Sequence, residues 1–170
     1  AVKAGLTSQP SAITTQEVQQ DQRGEKPVRI LPFMAEIIEE TARAARQSTD
    51  IEQESGVSAR FSITCMENAI SSAERRALLT RETIICPRAC DLVHTIPSMT
   101  GKMELSYAGE EKGADRVAAA LLRQAVETVF QDYFAQDGCL AIINWFEASQ
   151  HTFELTDDLP AHEVIERAKT

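Results

Sequence analysis

The sequence predicts a mainly α-helical fold: a helical bundle followed by a C-terminal helical extension. Three observations point there. Apolar residues make up 43% of the 170 residues and charged residues 25%, a balance that supports a packed core. Aromatics reach only 5%, and the chain is rich in Ala and poor in Gly, a composition that favours helix over strand. Apolar residues also recur at steps of three and four through several long stretches, the spacing that lines one face of a helix.

Residues 1–27 are polar, with a Gln- and Asp-rich run, and read as a linker or a segment docked on another body. From Pro32 the pattern changes. Met34, Ile37, Ile38, Thr41 and Ala45 form one stripe, and Pro32 suits a first turn, where its missing N–H costs nothing; the spacing predicts a helix over 32–48. Thr49–Val57 is polar and contains Gly56, as a connection does. Ala59, Ile63, Met66, Ile70, Ala73 and Ala77 predict a second helix over 59–80, with Ser58 as its N-cap.

Thr83–Cys86 is β-branched and reads as extended, and Pro87 opens a short helix over 88–96 with Ala89, Leu92 and Val93 inward. Pro97 and Gly101 end it. Residues 102–113 read as irregular, with a short strand at Met103–Tyr107. A long helix follows over 114–134, lined by Val117, Leu121, Leu122, Ala125, Val129, Phe130 and Tyr133. Leu140–Ala148 is a short apolar helix around Trp145. Phe153 and Leu155 suggest an edge strand, and a last helix starts at Pro160.

The net charge of −9 argues against a nucleic-acid partner, because phosphate neutralisation needs clustered Lys and Arg. No apolar run reaches the about 18 residues that a membrane span requires, and no signal peptide is visible. The four cysteines, Cys65, Cys86, Cys90 and Cys139, are sparse and lack the spacing of a secreted disulfide scaffold, which points to reduced thiols in a cytoplasm.

Several patterns invite chemistry and fail on inspection. Gly101-Lys102 resembles the end of a phosphate loop, but Ile96 stands where the first Gly belongs and Met103 where the magnesium-binding hydroxyl belongs. Cys86, Cys90 and His94 sit four apart, yet a structural zinc needs a fourth ligand; no metal site is assigned. His94, His151 and His162 accompany no nucleophile motif. Asp157-Asp158 and Glu110-Glu111 lack the alternation of a calcium loop. Trp145, Phe146, Ile142 and Ile143 form a dense apolar cluster that reads as local core or as a partner surface.

Arg60 stands apart. It falls just inside the start of the second helix, after Gly56-Val57-Ser58-Ala59, where free N–H groups and the positive end of the helix dipole disfavour a cation unless an anion is near. Its planar fork suits phosphate oxygens; the plain alternative is a surface pair with Glu52 or Glu54.

Gly56-Val57-Ser58-Ala59-Arg60, followed by a long helix ending Ala73-Glu74-Arg75-Arg76-Ala77-Leu78-Leu79, resembles the lid of the MoxR and magnesium-chelatase branch of AAA+ ATPases. Thr83-Ile84-Ile85-Cys86-Pro87-Arg88-Ala89-Cys90-Asp91-Leu92-Val93 is similar to the β-branched stretch, Pro and short acidic helix that follow in that family. The chain is more specifically similar to bacterial magnesium-chelatase-like proteins. That similarity rests on Ser55–Leu79, on Ile96-Pro97-Ser98-Met99-Thr100-Gly101-Lys102-Met103-Glu104-Leu105 and on Asp157-Asp158-Leu159-Pro160, and spans nearly everything after residue 28.

The resemblance implies an AAA+ lid over 28–100 and a C-terminal extension over 101–170. Arg60 would be the sensor-2 arginine, with Ser58 and Ala59 at the helix N-terminus beside the site. The lid would couple ATP hydrolysis to remodelling of an unknown protein substrate, within a homo-oligomeric ring. Arg75 and Arg76 read as surface ion-pair residues of the same helix, with a contact to the neighbouring subunit of the ring as the alternative. The P-loop, Walker-B acid, sensor-1 residue and arginine finger of that family are absent from the sequence. ATP and Mg would therefore be held by an AAA+ core joined in cis, with no cofactor and no catalysis expected of this chain alone. From a different class, the chain could be a non-enzymatic helical adaptor that binds a protein through residues 138–155, with Trp145 and Phe146 as the contact.

Overall fold

Pro32 occupies the first turn of α1 (Pro32–Gln47), the helix predicted from the first apolar stripe, and Met34, Ile37, Ile38, Thr41 and Ala45 all face inward. Thr41 resolves its buried hydroxyl by donating to the Ile37 carbonyl at 2.7 Å. The structure is a computed structural model that describes residues 26–52, 54, 56–134, 136–149, 156 and 159–167. Among these it is mainly α-helical, with seven α-helices and no sheet.

The second helix, α2 (Phe61–Leu79), starts two residues later than the pattern predicts, and its buried face is turned away from the predicted one. Phe61, Cys65, Ala69, Ala73, Arg76 and Ala77 are buried. Ala59 is exposed and precedes the helix, Ile63 is 60% exposed, and Met66 and Ile70 flank the contact, partly buried. The reason is steric. A face of Ala and Cys lets the helix approach its neighbours closely, and the bulky branched chain at 63 is left outside.

Beyond α2 the chain turns at Arg81, whose φ of 60° is left-handed, and runs extended past Ile85. There Val28 and Ile85 form a parallel bridge: the Arg29 N–H donates to the Ile85 carbonyl at 2.8 Å and the Ile85 N–H to the Pro27 carbonyl at 2.9 Å. Lys26 donates to the Ala77 carbonyl at 2.9 Å. Ile85 joins Ala73 and Ala77 in a small satellite core with Val28 and Ile70 against it.

The predicted short helix over 88–96 is a 3-10 helix, Ala89–Thr95, that leads directly into α3 (Ile96–Thr100). Pro97 does not end the helical run: it lies in the first turn of α3, where no N–H is required of it. Leu92 is buried as expected, but Ala89 and Val93 are exposed, since a 3-10 turn places every third residue together and buries Leu92 with Thr95 instead.

Residues 102–105 are extended, but they pair only through isolated bridges, Ile51 with Leu105 and Val57 with Met103. Tyr107 is helical, opening α4 (Tyr107–Lys112) in the stretch predicted to be irregular; Ser106 caps it, accepting from the Gly109 N–H at 3.3 Å. Gly113, at φ 88°, breaks the chain into α5 (Ala114–Tyr133). α5 packs along α1, and Val117, Leu121, Leu122, Ala125 and Val129 share one core with Met34, Ile37, Phe61 and Met99. Phe130 and Tyr133, predicted inward, are about half exposed, because α5 runs past the end of that core. α6 (Gln136–Ser149) and α7 (Ala161–Arg167) complete the described chain. The edge strand predicted at Phe153 and Leu155 lies outside the described residues.

Candidate functional site

The approach to Arg60 is built from two antiparallel bridges. The Glu52 N–H donates to the Glu104 carbonyl at 2.8 Å, and the Ser58 N–H to the Lys102 carbonyl at 3.0 Å. Between them Gly56, at φ 61°, takes the left-handed turn that brings its N–H to the Glu52 carbonyl at 2.9 Å, a conformation that a side chain would disfavour. Ile51, fully buried, fixes one end of this segment and Phe61, fully buried, the other. The turn preceding α2 is thus held at both ends by apolar anchors and across its middle by the 102–105 segment.

On this frame Arg60 occupies the N-cap of α2, not a position inside the helix. Ser58 does not cap the helix as predicted: its hydroxyl accepts from the Arg60 N–H at 3.3 Å, and its carbonyl accepts from Phe61 at 2.9 Å. With the cap position filled by an arginine, the cap side chain accepts from none of the first-turn N–H groups. Among the described residues the Ser62 and Ile63 N–H groups have no backbone acceptor. The Arg60 side chain is exposed and makes no ion pair with Glu52, Glu54 or any other described residue. Lys102, half-buried, lies alongside through its backbone bond to Ser58. An arginine, the N–H groups of Ser62 and Ile63 and a helix N-terminus therefore share one corner, an arrangement suited to an anion with several oxygens.

Comparison of the chain with known protein families, with characterised proteins and with solved structures finds no match. The site is accordingly read from its own chemistry.

Near its C-terminal end, α2 is locked to the 3-10 helix by a buried ion pair. The Arg76 guanidinium donates to both Asp91 carboxylate oxygens at 2.6 and 2.7 Å and to the Cys86 carbonyl at 2.7 Å. Ser72 donates to Asp91 at 2.9 Å, and the Arg88 N–H donates to it at 2.7 Å. Arg76 is thus buried, not a surface ion-pair residue as the sequence suggested; Arg75, its neighbour, is exposed. The missed signal was positional: Arg76 follows Ala73 by three and precedes Ala77 by one, on the small-residue face that α2 buries. Asp91 also carries a legible sign, standing three residues after Arg88 as the acid of a helix start.

The other candidates disperse. Gly101 ends α3 and Lys102 enters the extended segment, so no helix follows to complete a phosphate loop. Cys86 and Cys90 are half-buried and His94 and His162 exposed, while His151 lies outside the described residues. Among the described residues no three His, Cys, Asp or Glu side chains are grouped to hold a metal. Burial pushes the Cys86 thiol up, against the opposing pull of Arg29, Arg76 and Arg88. Asp157 and Asp158 lie outside the described residues, and Glu110 and Glu111 are exposed on α4. An open groove of about 430 Å³ between α1 and α5 is lined by Glu36, Glu39, Glu40, Arg43, Arg46 and Asp132, where both signs of charge alternate. Trp145 and Phe146 are not local core: they meet edge to face at 4.9 Å on α6 and are each over 40% exposed.

Proposed function

We propose that this chain acts as the helical lid and C-terminal portion of an AAA+ ATPase of the MoxR and magnesium-chelatase branch, with Arg60 as its sensor-2 arginine. One observation carries the reading: an exposed, unpaired arginine fixed at the N-cap of a central helix, with free N–H groups on the following turn. An arginine is a poor N-cap for stability, since it supplies no acceptor and adds positive charge to the positive end of the dipole. Its presence there is accounted for by an anion that arrives from outside the chain.

The residues fit the outer oxygens of a nucleotide triphosphate; for its magnesium, no three His, Cys, Asp or Glu side chains are grouped among the described residues. Bound ATP supplies a γ-phosphoryl group for transfer to water. Arg60 orients that group's oxygens and neutralises charge on them, and the Arg76–Asp91 lock transmits the position of Arg60 to α2 and the 3-10 helix as one body. Loss of the contact frees that body to move against the core joined in cis, and in a homo-oligomeric ring the motion is delivered to a protein substrate.

The coding sequence upstream of Ala1 gives the first test; a P-loop and a Walker-B acid are expected there. In the polypeptide that includes them, Arg60→Ala is expected to lower kcat for ATP hydrolysis by at least about tenfold, the loss of one charged transition-state partner. Unchanged turnover, with circular dichroism confirming the fold, refutes the assignment.

A second reading, a helical adaptor that engages a protein through 138–155, draws on the exposure of Leu140, Ile142, Ile143, Trp145 and Phe146. Residues 150–155 lie outside the described ones. Among the described residues no helix is long and apolar enough to cross a membrane.

A further inference from the structure

We propose that α4 grips the connection between α1 and α2 and so sets the position of the Arg60 corner, with Gly109 and Lys112 as its positioning residues. The inference rests on the nucleotide reading for what the corner binds, and on the hydrogen bonds of this connection for the grip itself.

Residues 48–58 lead from α1 to Arg60 and are held along their length by the 102–112 stretch. The Ser106 N–H donates to the Asp50 carbonyl at 3.0 Å, and the Ser106 hydroxyl to the Thr49 carbonyl at 2.8 Å. The Lys112 ammonium reaches both Asp50 carboxylate oxygens at 2.7 Å. Farther along, the Glu52 and Ser58 N–H groups donate to the Glu104 and Lys102 carbonyls. Gly109 lets α4 come this close: a Cβ there would stand 2.1 Å from the Asp50 carbonyl oxygen, so the two backbones meet only without a side chain. The grip begins at Thr49 and ends at Ser58, two residues before Arg60.

The setting of these bonds separates a releasable latch from core packing. The Lys112–Asp50 pair is open to water, with side chains 59% and 19% exposed. A pair in that setting is weak and is screened by salt, so it opens readily. Within α4 only Gly109 is buried, and Tyr107 beside it is exposed, so α4 can shift against the 48–52 loop without emptying the bundle core. The shift passes along the backbone through Glu52 and Ser58 to the Arg60 cap. At its other end α4 continues through Gly113, at φ 88°, into α5. Residues 102–112, which the sequence placed in an extension, are therefore part of what positions Arg60, and they tie that position to the C-terminal portion of the chain.

Residue-resolved hydrogen exchange of the full chain, joined to a titration with inorganic tripolyphosphate, tests the proposal. Lys112→Met is expected to raise exchange at the Glu52 and Ser58 N–H groups about two- to fivefold, the amount by which a partly exposed pair shifts a local opening, with Ile38 in α1 and Leu122 in α5 unchanged. The swapped pair, Asp50→Lys with Lys112→Asp, is expected to return exchange toward the parent rate. Gly109→Ala, which pushes α4 off the loop, is expected to raise it at least about tenfold. Raising NaCl from about 0.05 to about 0.5 M should speed the same two amides in the parent and leave Lys112→Met insensitive. Tripolyphosphate is expected to shift the Ser62 and Ile63 amide resonances, with affinity lower by the same two- to fivefold in Lys112→Met, because a looser corner must be ordered on binding. Exchange at Ser58 that is unchanged in both folded variants overturns the proposal, as does a rise shared equally by Ile38 and Leu122, which would make the pair a fastening of the whole bundle. Should Gly109→Ala not fold, Lys112→Met and its charge-swapped rescue decide alone. Ser62 and Ile63 resonances that ignore tripolyphosphate in the parent refute the nucleotide reading, while the exchange rates still decide the grip.

Discussion

Replacing Arg76 by Met tests whether the buried ion pair is the lock between α2 and the 3-10 helix. Arg76 and Asp91 are 5% and 4% exposed, so the variant leaves the Asp91 carboxylate inside the protein with only the Ser72 hydroxyl and the Arg88 N–H for partners. Removing one member of a buried pair costs about 3–5 kcal/mol, chiefly because the remaining charge is uncompensated. At about 2–4 °C per kcal/mol for a chain of this size, the midpoint of thermal unfolding should fall by roughly 6–20 °C. Urea titration followed at 222 nm gives the free energy directly. The origin of the cost is separable. Arg76→Met combined with Asp91→Asn removes both charges while the amide oxygen still accepts from the Arg88 N–H and the amide NH2 donates to the Ser72 hydroxyl, and should return to within about 2 kcal/mol of the parent. A loss below about 1 kcal/mol for Arg76→Met, or a double variant no more stable than the single one, refutes the reasoning.

Two other sites make comparable tests. A Cβ on Gly109 would stand 2.1 Å from the Asp50 carbonyl oxygen, so Gly109→Ala must push α4 off the 48–51 loop; a loss of at least about 2 kcal/mol is expected by urea titration, with faster hydrogen exchange at the Ser106 N–H that Asp50 now accepts. Burial pushes the Cys65 thiol from its ordinary 9.0 up to about 11, so it should resist alkylation at pH 8 in the folded chain and react only on unfolding. The folded state holds the Cys65 proton more tightly than the unfolded one, so this contribution to stability is complete below pH 9 and declines as pH rises toward 11; a Cys65→Ala variant should lose that part of the alkaline decline.

The sequence by itself determined where the long helices run. α1, α2 and α5 lie within two residues of their predicted bounds, because their apolar spacing extends over four or five turns and local chemistry (Pro32 at one start, Gly113 at another) marks their ends. It also singled out Arg60, whose charge at a helix start is visible without coordinates. Which face α2 buries was decided only by tertiary packing. Its large apolar residues suggested one stripe, but close approach to the helices around it selects the small side chains of Cys65, Ala69, Ala73 and Ala77. That same rotation takes Arg76 inside, where Asp91, fifteen residues on, must meet it. No local pattern encodes the meeting, since it depends on the path of the chain through Ile85 and its pairing with Val28. The opposite holds for α6. Its apolar residues were plain in the sequence, but an apolar arc has the same spacing whether it faces a core or the outside, and only the tertiary structure shows Trp145 and Phe146 outside the bundle core, each over 40% exposed.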